Sequence, residues 1–241
     1  MKSLFVLVSL VSLFSLSNAY ACKTETASGL AAIESVVGGY KYDNYVNKLD
    51  SQYGLCNKLA ENHYNIYKKL KKEEVMGIYS YTTNDIYRKL NSVLRKGSKA
   101  TAADKKKYKP IVKIINSGLS KLPKYKGKVV RFEKKKSVSR FISAMKKGTP
   151  KLFKAYTSSS KKKKFCWSGN VKMVITSKNG RYIAPMSAYK SEEEVLFAPG
   201  TKFKITKVKK VKKNADGSIP NASCHNEDTL NVIHMTEVTS K

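Results

Sequence analysis

The sequence predicts an α+β domain, with helices gathered in the first half of the chain and strands in the second. Two patterns carry that expectation. Residues 42–122 place apolar side chains at three- and four-residue spacings, and residues 129–238 carry short β-branched and aromatic runs between turn residues. The two patterns follow one another and do not alternate, which argues against repeated βαβ units and a parallel sheet.

The chain begins with a leader. Lys2 precedes an apolar run over residues 4–16, and Ala19, Tyr20 and Ala21 form a small-x-small cleavage site. Such a segment reads as a secretory signal peptide over 1–21, too short to span a membrane, with the mature chain starting at Cys22. Nothing at the C-terminus resembles a GPI-type signal, so the expectation is a secreted, extracellular protein. Residues 22–241 read as one domain, with a helical part over about 40–123 and a β-rich part over about 126–240.

The first helical pattern covers 42–72, where Tyr and Leu recur on one face. The second covers 73–95 through Val75, Met76, Ile78, Ile86, Leu90, Val93 and Leu94, and Gly97 stops it. Thr101 followed by Asp104 resembles a capping box, opening a segment that restarts near Pro110 and ends at Leu122 and Pro123. Strands are expected at 129–132, 152–156, 171–176, 194–197, 202–208 and 230–238. Asn179 with Gly180 reads as a two-residue hairpin turn, and Ala198, Pro199 and Gly200 as a further turn, as do Asp216 and Gly217.

Composition narrows the function classes. The 241 residues hold 48 Lys plus Arg against 17 Asp plus Glu, for a formal net charge of +31. Lysine dominates, because the arginines are only Arg88, Arg95, Arg131, Arg140 and Arg181. Such an excess attracts phosphates, anionic lipids or acidic glycans without reading sequence. A compositional bias toward lysine accounts for it equally well, and the run at residues 161–164 reads as a solvated loop. Cys22, Cys56, Cys166 and Cys224 suit two disulfides in an exported chain, with three pairings open. They form no C-x-x-C pair, so zinc is the weaker reading, and His63, His225 and His234 fall in no metal or catalytic spacing. Asn221 opens an N-glycosylation sequon.

Against this basic background, Glu192, Glu193 and Glu194 run directly into Val195, Leu196 and Phe197. Carboxylates at the mouth of a buried strand repel one another and resist desolvation. Residues two apart on a strand share a face, so Glu192 and Glu194 are expected to point together and Glu193 away. Two carboxylates on one face suit glycosidic-bond chemistry, one stabilising a cationic centre and one positioning the acceptor. Arg131 sits inside an apolar strand run and needs an anionic partner. Ser158, Ser159 and Ser160 follow Tyr156 and Thr157 as a run of hydroxyls.

This ordered arginine, serine run and E-x-E resembles the arginine-specific mono-ADP-ribosyltransferases of the R-S-E class, which include vertebrate ecto-enzymes and bacterial binary-toxin subunits. Residues 73–208 carry the likeness. Tyr81, Thr82, Tyr87, Asn91, Leu94 and Arg95 match a helical Y-T…Y…N…L-R pattern. Leu122, Pro123 and Gly127 match the approach to the arginine strand, and residues 156–160 the serine block. Gly180, Arg181, Tyr182, Ile183, Ser187 and residues 192–203 match the most specific stretch.

The resemblance implies an ADP-ribosyltransferase fold: N-terminal helices followed by two small packed β-sheets around an NAD cleft, without a G-x-G-x-x-G Rossmann motif and without a metal. It implies transfer of ADP-ribose from NAD to arginine side chains of target proteins, with release of nicotinamide. Arg131 would pair with the NAD diphosphate, the backbone of Phe132 would hold the nicotinamide amide, and Ser158 would orient the catalytic Glu194. Glu194 would hold the ribose and stabilise the cation, and Glu192 would engage the acceptor guanidinium. Tyr189 lies in the loop that presents the target, and Tyr87 and Asn91 are expected NAD contacts. Phe132 departs from the glycine found in many members and brings bulk near the nicotinamide. Phe165 and Trp167 could line the nicotinamide side or belong to a disulfide-pinned loop. Two alternatives stay open: an NAD glycohydrolase on the same fold, and a catalytically silent basic protein that binds acidic glycans, nucleic acid or membrane. The likeness does not choose between toxin and ecto-enzyme.

Overall fold

A computed structural model describes residues 28–53, 70–143, 148–163, 165, 169–212, 214 and 229–239. The leader, all four cysteines, Trp167, His63, His225, the sequon and the expected turn at Asp216 and Gly217 lie outside the described residues.

The helices occupy the first half, as the periodicity implies. They are α1 (Ser28–Val37), α2 (Gly39–Tyr53), α3 (Lys72–Thr82), α4 (Tyr87–Lys96) and α5 (Ala102–Lys121). Helix α1 starts earlier than the expected helical part, burying Leu30 and Ile33. The single pattern expected over 73–95 is two helices. Thr82 and Thr83 turn their hydroxyls back onto the carbonyls of Tyr79 and Ser80, each at 2.7 Å, and end α3 there. Glu74 closes the start of α3 by accepting from the Lys71 N–H at 2.8 Å. Its carboxylate also accepts from Ser117 and Lys121 of α5, which locks the two helices together. Thr101 caps α5 by accepting from the Asp104 N–H at 3.1 Å, and the helix runs on through Pro110.

The strands are β1 (Lys124–Glu133), β2 (Lys151–Phe153), β3 (Thr157–Ser160), β4 (Val171–Tyr182), β5 (Glu194–Phe197), β6 (Thr201–Lys212) and β7 (Thr229–Val238), with a short helix α6 (Val138–Ser143) after β1. They hydrogen-bond in the order β1-β3-β5-β4-β7-β6-β2, and β1 also pairs directly with β4. The two expected layers are therefore joined along shared strands. The larger layer is β1-β4-β7-β6-β2, and β3 with β5 folds over it, tied to β1 at Val130↔Ser160 and to β4 at Arg181↔Leu196. One pair, β4 with β7, is parallel.

Asn179 and Gly180 make no hairpin: β4 runs straight through them. Glu237 accepts from the backbone N–H groups of Lys178 and Asn179 at 2.6 and 2.7 Å, which holds this stretch extended. Glycine is needed there for closeness, since a Cβ at position 180 would stand 2.7 Å from Val195 Cγ1. The turn at Ala198 to Gly200 forms as expected, with Gly200 at φ 87°.

Two cores result. Between the layers, Val195 and Phe197 of β5 pack on Val129, Met173, Ile175, Phe203, Ile205, Ile233 and Met235. Phe197 and Phe203 meet edge to face, 5.1 Å between centroids. On the other side of β3 and β5, Tyr156, Ile183 and Leu196 join the helical core of Ile78, Leu90, Ile111 and Ile115. The small β3–β5 layer is thus held from both sides, and Ser158 and Glu194 lie on its two strands.

Candidate active site

A cavity of about 620 Å³ opens between α3, α4 and the β1–β3–β5 edge. Arg131, Phe132, Ser158, Glu192, Glu194, Tyr87, Asn91 and Tyr189 all line it. Every site residue expected from the sequence is therefore brought to one place. Tyr81, Asn84, Arg88, Arg95 and Tyr156 line it as well. Phe165 is not among its lining residues.

Strand geometry places the first three groups. In β3 and β5, Ser158 stands opposite Leu196 and Ser160 opposite Glu194. Ser158 and Glu194 are thus diagonal neighbours on one face, within reach of each other, and Ser158 hydrogen-bonds the carboxyl. The three serines divide their work. Ser159 faces the opposite way and is fully buried. Ser160 donates to the Glu192 carbonyl at 2.6 Å and so pins the turn before β5.

Glu192 and Glu194 share the cleft, but not through strand alternation. Glu192 ends a 3₁₀ turn (Lys190–Glu192), and Glu194 begins β5. Glu193 between them takes a left-handed conformation, φ 47° and ψ 52°, which turns its side chain outward toward Lys161 at 3.5 Å. This kink, not a pleat, brings the two carboxylates together.

Glu194 is 3% exposed. Burial raises its carboxyl from 4.5 to about 7; the Glu192 charge adds to the rise, while the Ser158 bond and Arg131 oppose it. Tyr81 stands behind Ser158 with its hydroxyl 3.4 Å from Ser158 Oγ. Burial, then the Glu194 charge, pushes the phenol up to about 12, so Tyr81 keeps its proton. Asn91 Nδ2 donates to the Tyr81 oxygen at 3.0 Å, and Asn91 Oδ1 accepts from the Tyr156 N–H at 3.1 Å. An amide N–H can only donate and a carboxylate only accept, which assigns the hydroxyl directions: Asn91 to Tyr81, Tyr81 to Ser158, Ser158 to Glu194. Asn91 borders the cleft while both ends of its amide serve this chain of bonds.

Arg131 donates from Nε to Glu133 Oε1 at 2.7 Å and from an Nη to the Ser158 carbonyl at 2.7 Å. Glu133 also pairs with Lys135. Burial works against its charge, but Arg131 and Lys135 hold its carboxyl below the usual range. The guanidinium is therefore held by two fixed acceptors at the cavity that Arg131 lines. Glu133 was legible as a residue two positions from Arg131 on the same strand face. Tyr81 and Arg95 lay within the helical motif, whereas nothing in the sequence marked Arg88. Its guanidinium carbon lies 5.7 Å above the Tyr87 ring, and its Nε donates to the Tyr87 hydroxyl at 2.9 Å.

The target-loop residue Tyr189 is 46% exposed at the mouth. Asn84 Nδ2 approaches its hydroxyl at 3.4 Å, and Ala188 N–H donates to Thr82 at 2.9 Å, so α3 and the turn after it support this loop. Among the described residues, no group of three His, Cys, Asp or Glu comes together as a metal site.

A helix-flanked, two-layered sheet that holds arginine, serine and paired glutamates in one cleft defines the ADP-ribosyltransferase class. The family model described as NAD:arginine ADP-ribosyltransferase matches residues 42–221, and the chain belongs to that family. It is similar to the NAD(+)–protein-arginine ADP-ribosyltransferase Tre1 of Pseudomonas putida, 31% identical over 137 residues. That match covers 56% of this chain and 26% of Tre1, so the chain spans about a quarter of that relative's length. The fold is shared with ADP-ribosyltransferase HopU1 of Pseudomonas syringae, at TM-score 0.68 and 18% identity over 89% of this chain and 98% of that one. The type III effector XopAI of Xanthomonas axonopodis matches at TM-score 0.65 and 21% identity, over 89% of each chain.

Proposed function

We propose that this protein transfers ADP-ribose from NAD to arginine side chains of target proteins and releases nicotinamide. One observation carries the reading: Glu194, buried and hydrogen-bonded by Ser158, faces Arg131 and Glu192 in a single cleft. The residues present suit NAD. The cavity falls within the usual size of ligand sites, Arg131 offers N–H groups for a diphosphate, and Glu194 offers a carboxylate for the ribose. NAD supplies a ribosyl C1′ whose bond to nicotinamide breaks with the electron pair leaving on the ring nitrogen.

The chain's own groups do the rest. Arg131 binds and orients the diphosphate. Ser158, held by Tyr81 and Asn91, keeps Glu194 aimed and favours its ionised form. Glu194 then places negative charge beside the carbon that becomes electron-poor, in a site with little water to screen it. Glu192, on the turn pinned by Ser160, receives the target guanidinium and accepts its proton as the new C–N bond forms. Tyr189 contacts the target protein.

The apolar leader supports export, after which Cys22 would be the first residue of the secreted chain; N-terminal sequencing of secreted protein tests this. For the reaction, labelled ADP-ribose should pass from NAD to an arginine acceptor, with Glu194→Gln inactive. Free nicotinamide and ADP-ribose without acceptor labelling would assign the protein as an NAD glycohydrolase. Transfer unchanged in Glu194→Gln would overturn the assignment of roles.

A further inference from the structure

The lysine excess is not evenly spread. The face of the larger layer turned away from the β3–β5 core carries aligned rows set by strand register. One row runs Lys128 (β1), Thr176 (β4), Thr236 (β7), Lys204 (β6). The next runs Val130, Val174, His234, Lys207, and the one after it ends at Lys209. In the other direction Lys202 stands opposite Val238, with Lys178 two residues beyond Thr176 on the same face of β4. Lys128, Lys178, Lys202, Lys204, Lys207 and Lys209 are all exposed. Burial, then Lys209, Lys207 and Lys128, holds the imidazole of His234 below its ordinary value, so lysines from both sides converge on the middle of the face.

The result is a lysine rail along β6, facing Lys128 and Lys178 across a floor of threonines, Val174 and His234. Strand spacings of roughly 4.8 Å set Lys128 of β1 about 14 Å and Lys178 of β4 about 10 Å from the β6 rail, and along β6 the two-residue steps Lys202 to Lys204 and Lys207 to Lys209 advance the backbone by about 7 Å on either side of a bulge between Ile205 and Lys207. The two described carboxylates of these four strands both turn inward. Glu133 is taken by Arg131 and Lys135, and Glu237 by the N–H groups of Lys178 and Asn179. Lysines on β6 also discourage edge-to-edge strand pairing, but that task needs none at Lys128, three strands away.

We infer that this face is a binding trough for an extended acidic polysaccharide, lying along the strands with its anionic groups on the two rails. A line of point charges suits a linear polymer with spaced anions. The threonine floor offers hydrogen bonds to sugar hydroxyls. Base stacking needs aromatic side chains, and no described Phe, Tyr or Trp is exposed on this floor, because Phe132 is buried beneath Lys172. Membrane insertion needs protruding apolar groups, and Leu152 at the rim is the exposed large one on this face. The trough lies apart from the cleft, so the inference stands independently of the transferase reading.

The test uses the full secreted chain and a heparin oligosaccharide as probe, with single-stranded oligonucleotide and anionic phospholipid vesicles as comparators. The triple variant Lys204→Gln/Lys207→Gln/Lys209→Gln removes the rail. Lys106→Gln/Lys107→Gln/Lys109→Gln on α5 removes equal charge from exposed positions elsewhere. The rail variant should weaken heparin binding at least tenfold. The slope of log K against log salt should fall by about 2, at roughly 0.7 per lost contact. The α5 variant should change binding less than twofold. Equal losses in both variants, or tighter rail-dependent binding of the oligonucleotide or the vesicles, would overturn the inference. NAD turnover, measured on the same samples, should be unchanged in both variants and scores the transferase reading separately.

Discussion

Glu194→Gln should make the protein more stable while removing its activity, and the gain should depend on pH. The carboxyl is 3% exposed, and its folded-state value is about 7 against an ordinary 4.5. Between those values the folded chain holds a proton that the unfolded chain releases, so stability falls as pH rises through that window. Below about 4.5 both states are protonated and the carboxyl carries no penalty. Above about 7 the full cost of ionising it in the fold is present, about 3 kcal/mol for a gap of this size. Glutamine has no charge to desolvate and can still accept the Ser158 hydrogen bond. Urea unfolding midpoints of both proteins at pH 5, 6, 7 and 8 measure the difference. The variant should gain progressively, reaching about 3 kcal/mol at pH 8 and shrinking to about 1 kcal/mol or less at pH 5. Transfer should fall by about 100-fold or more, because the developing charge loses its counter-charge. A stability difference that is flat with pH, or a variant less stable than wild type at pH 8, would refute the account of Glu194 as a carboxylate held at cost for function.

The other expectations concern groups that do not touch the reacting atoms. Tyr81→Phe removes the donor to Ser158; with a bond worth about 1 kcal/mol, kcat should drop roughly fivefold with the KM for NAD unchanged, and the pH midpoint of kcat/KM should rise because Glu194 loses indirect support. A rise in KM alone would show Tyr81 acting on substrate binding. Glu193→Gly should be neutral or stabilising by up to about 1 kcal/mol, since glycine adopts the left-handed conformation without strain, whereas Glu193→Val should lower thermal stability and transfer together. Matching melting curves for the two variants would show that the kink is not required. Gly180→Ala should cost about 1–3 kcal/mol by calorimetry through the contact with Val195, with a loss of activity because Val195 follows Glu194.

Much of this was legible in the chain. The succession of helical and strand periods, the Thr101 cap and the apolar content of β5 depend on neighbours within a few residues, so local sequence determines them. The ordered set of Arg131, Ser158, Glu192 and Glu194 was singled out by its order and the family resemblance, and all four line the cleft. Other features depend on partners far away. Asn179 and Gly180 have local turn chemistry, yet Glu237 captures the backbone N–H groups there and β4 passes straight through. Glu192 and Glu194 were expected to converge by alternation, and the convergence comes from the kink at Glu193, secured by Ser160 some thirty positions earlier.

What the sequence determined by itself was the class of fold, because that follows from residue type and short-range spacing; the polar groups of the site were marked by their order along the chain and the family resemblance. What only the tertiary structure decided was their environment. Tyr81 and Asn91 become support for Ser158 and Glu194 only when α3 and α4 pack against the small β3–β5 layer. The lysines form rails only through register across four strands. The raised carboxyl of Glu194 has the same cause, since desolvation and the charges that oppose it come from elements distant in the chain.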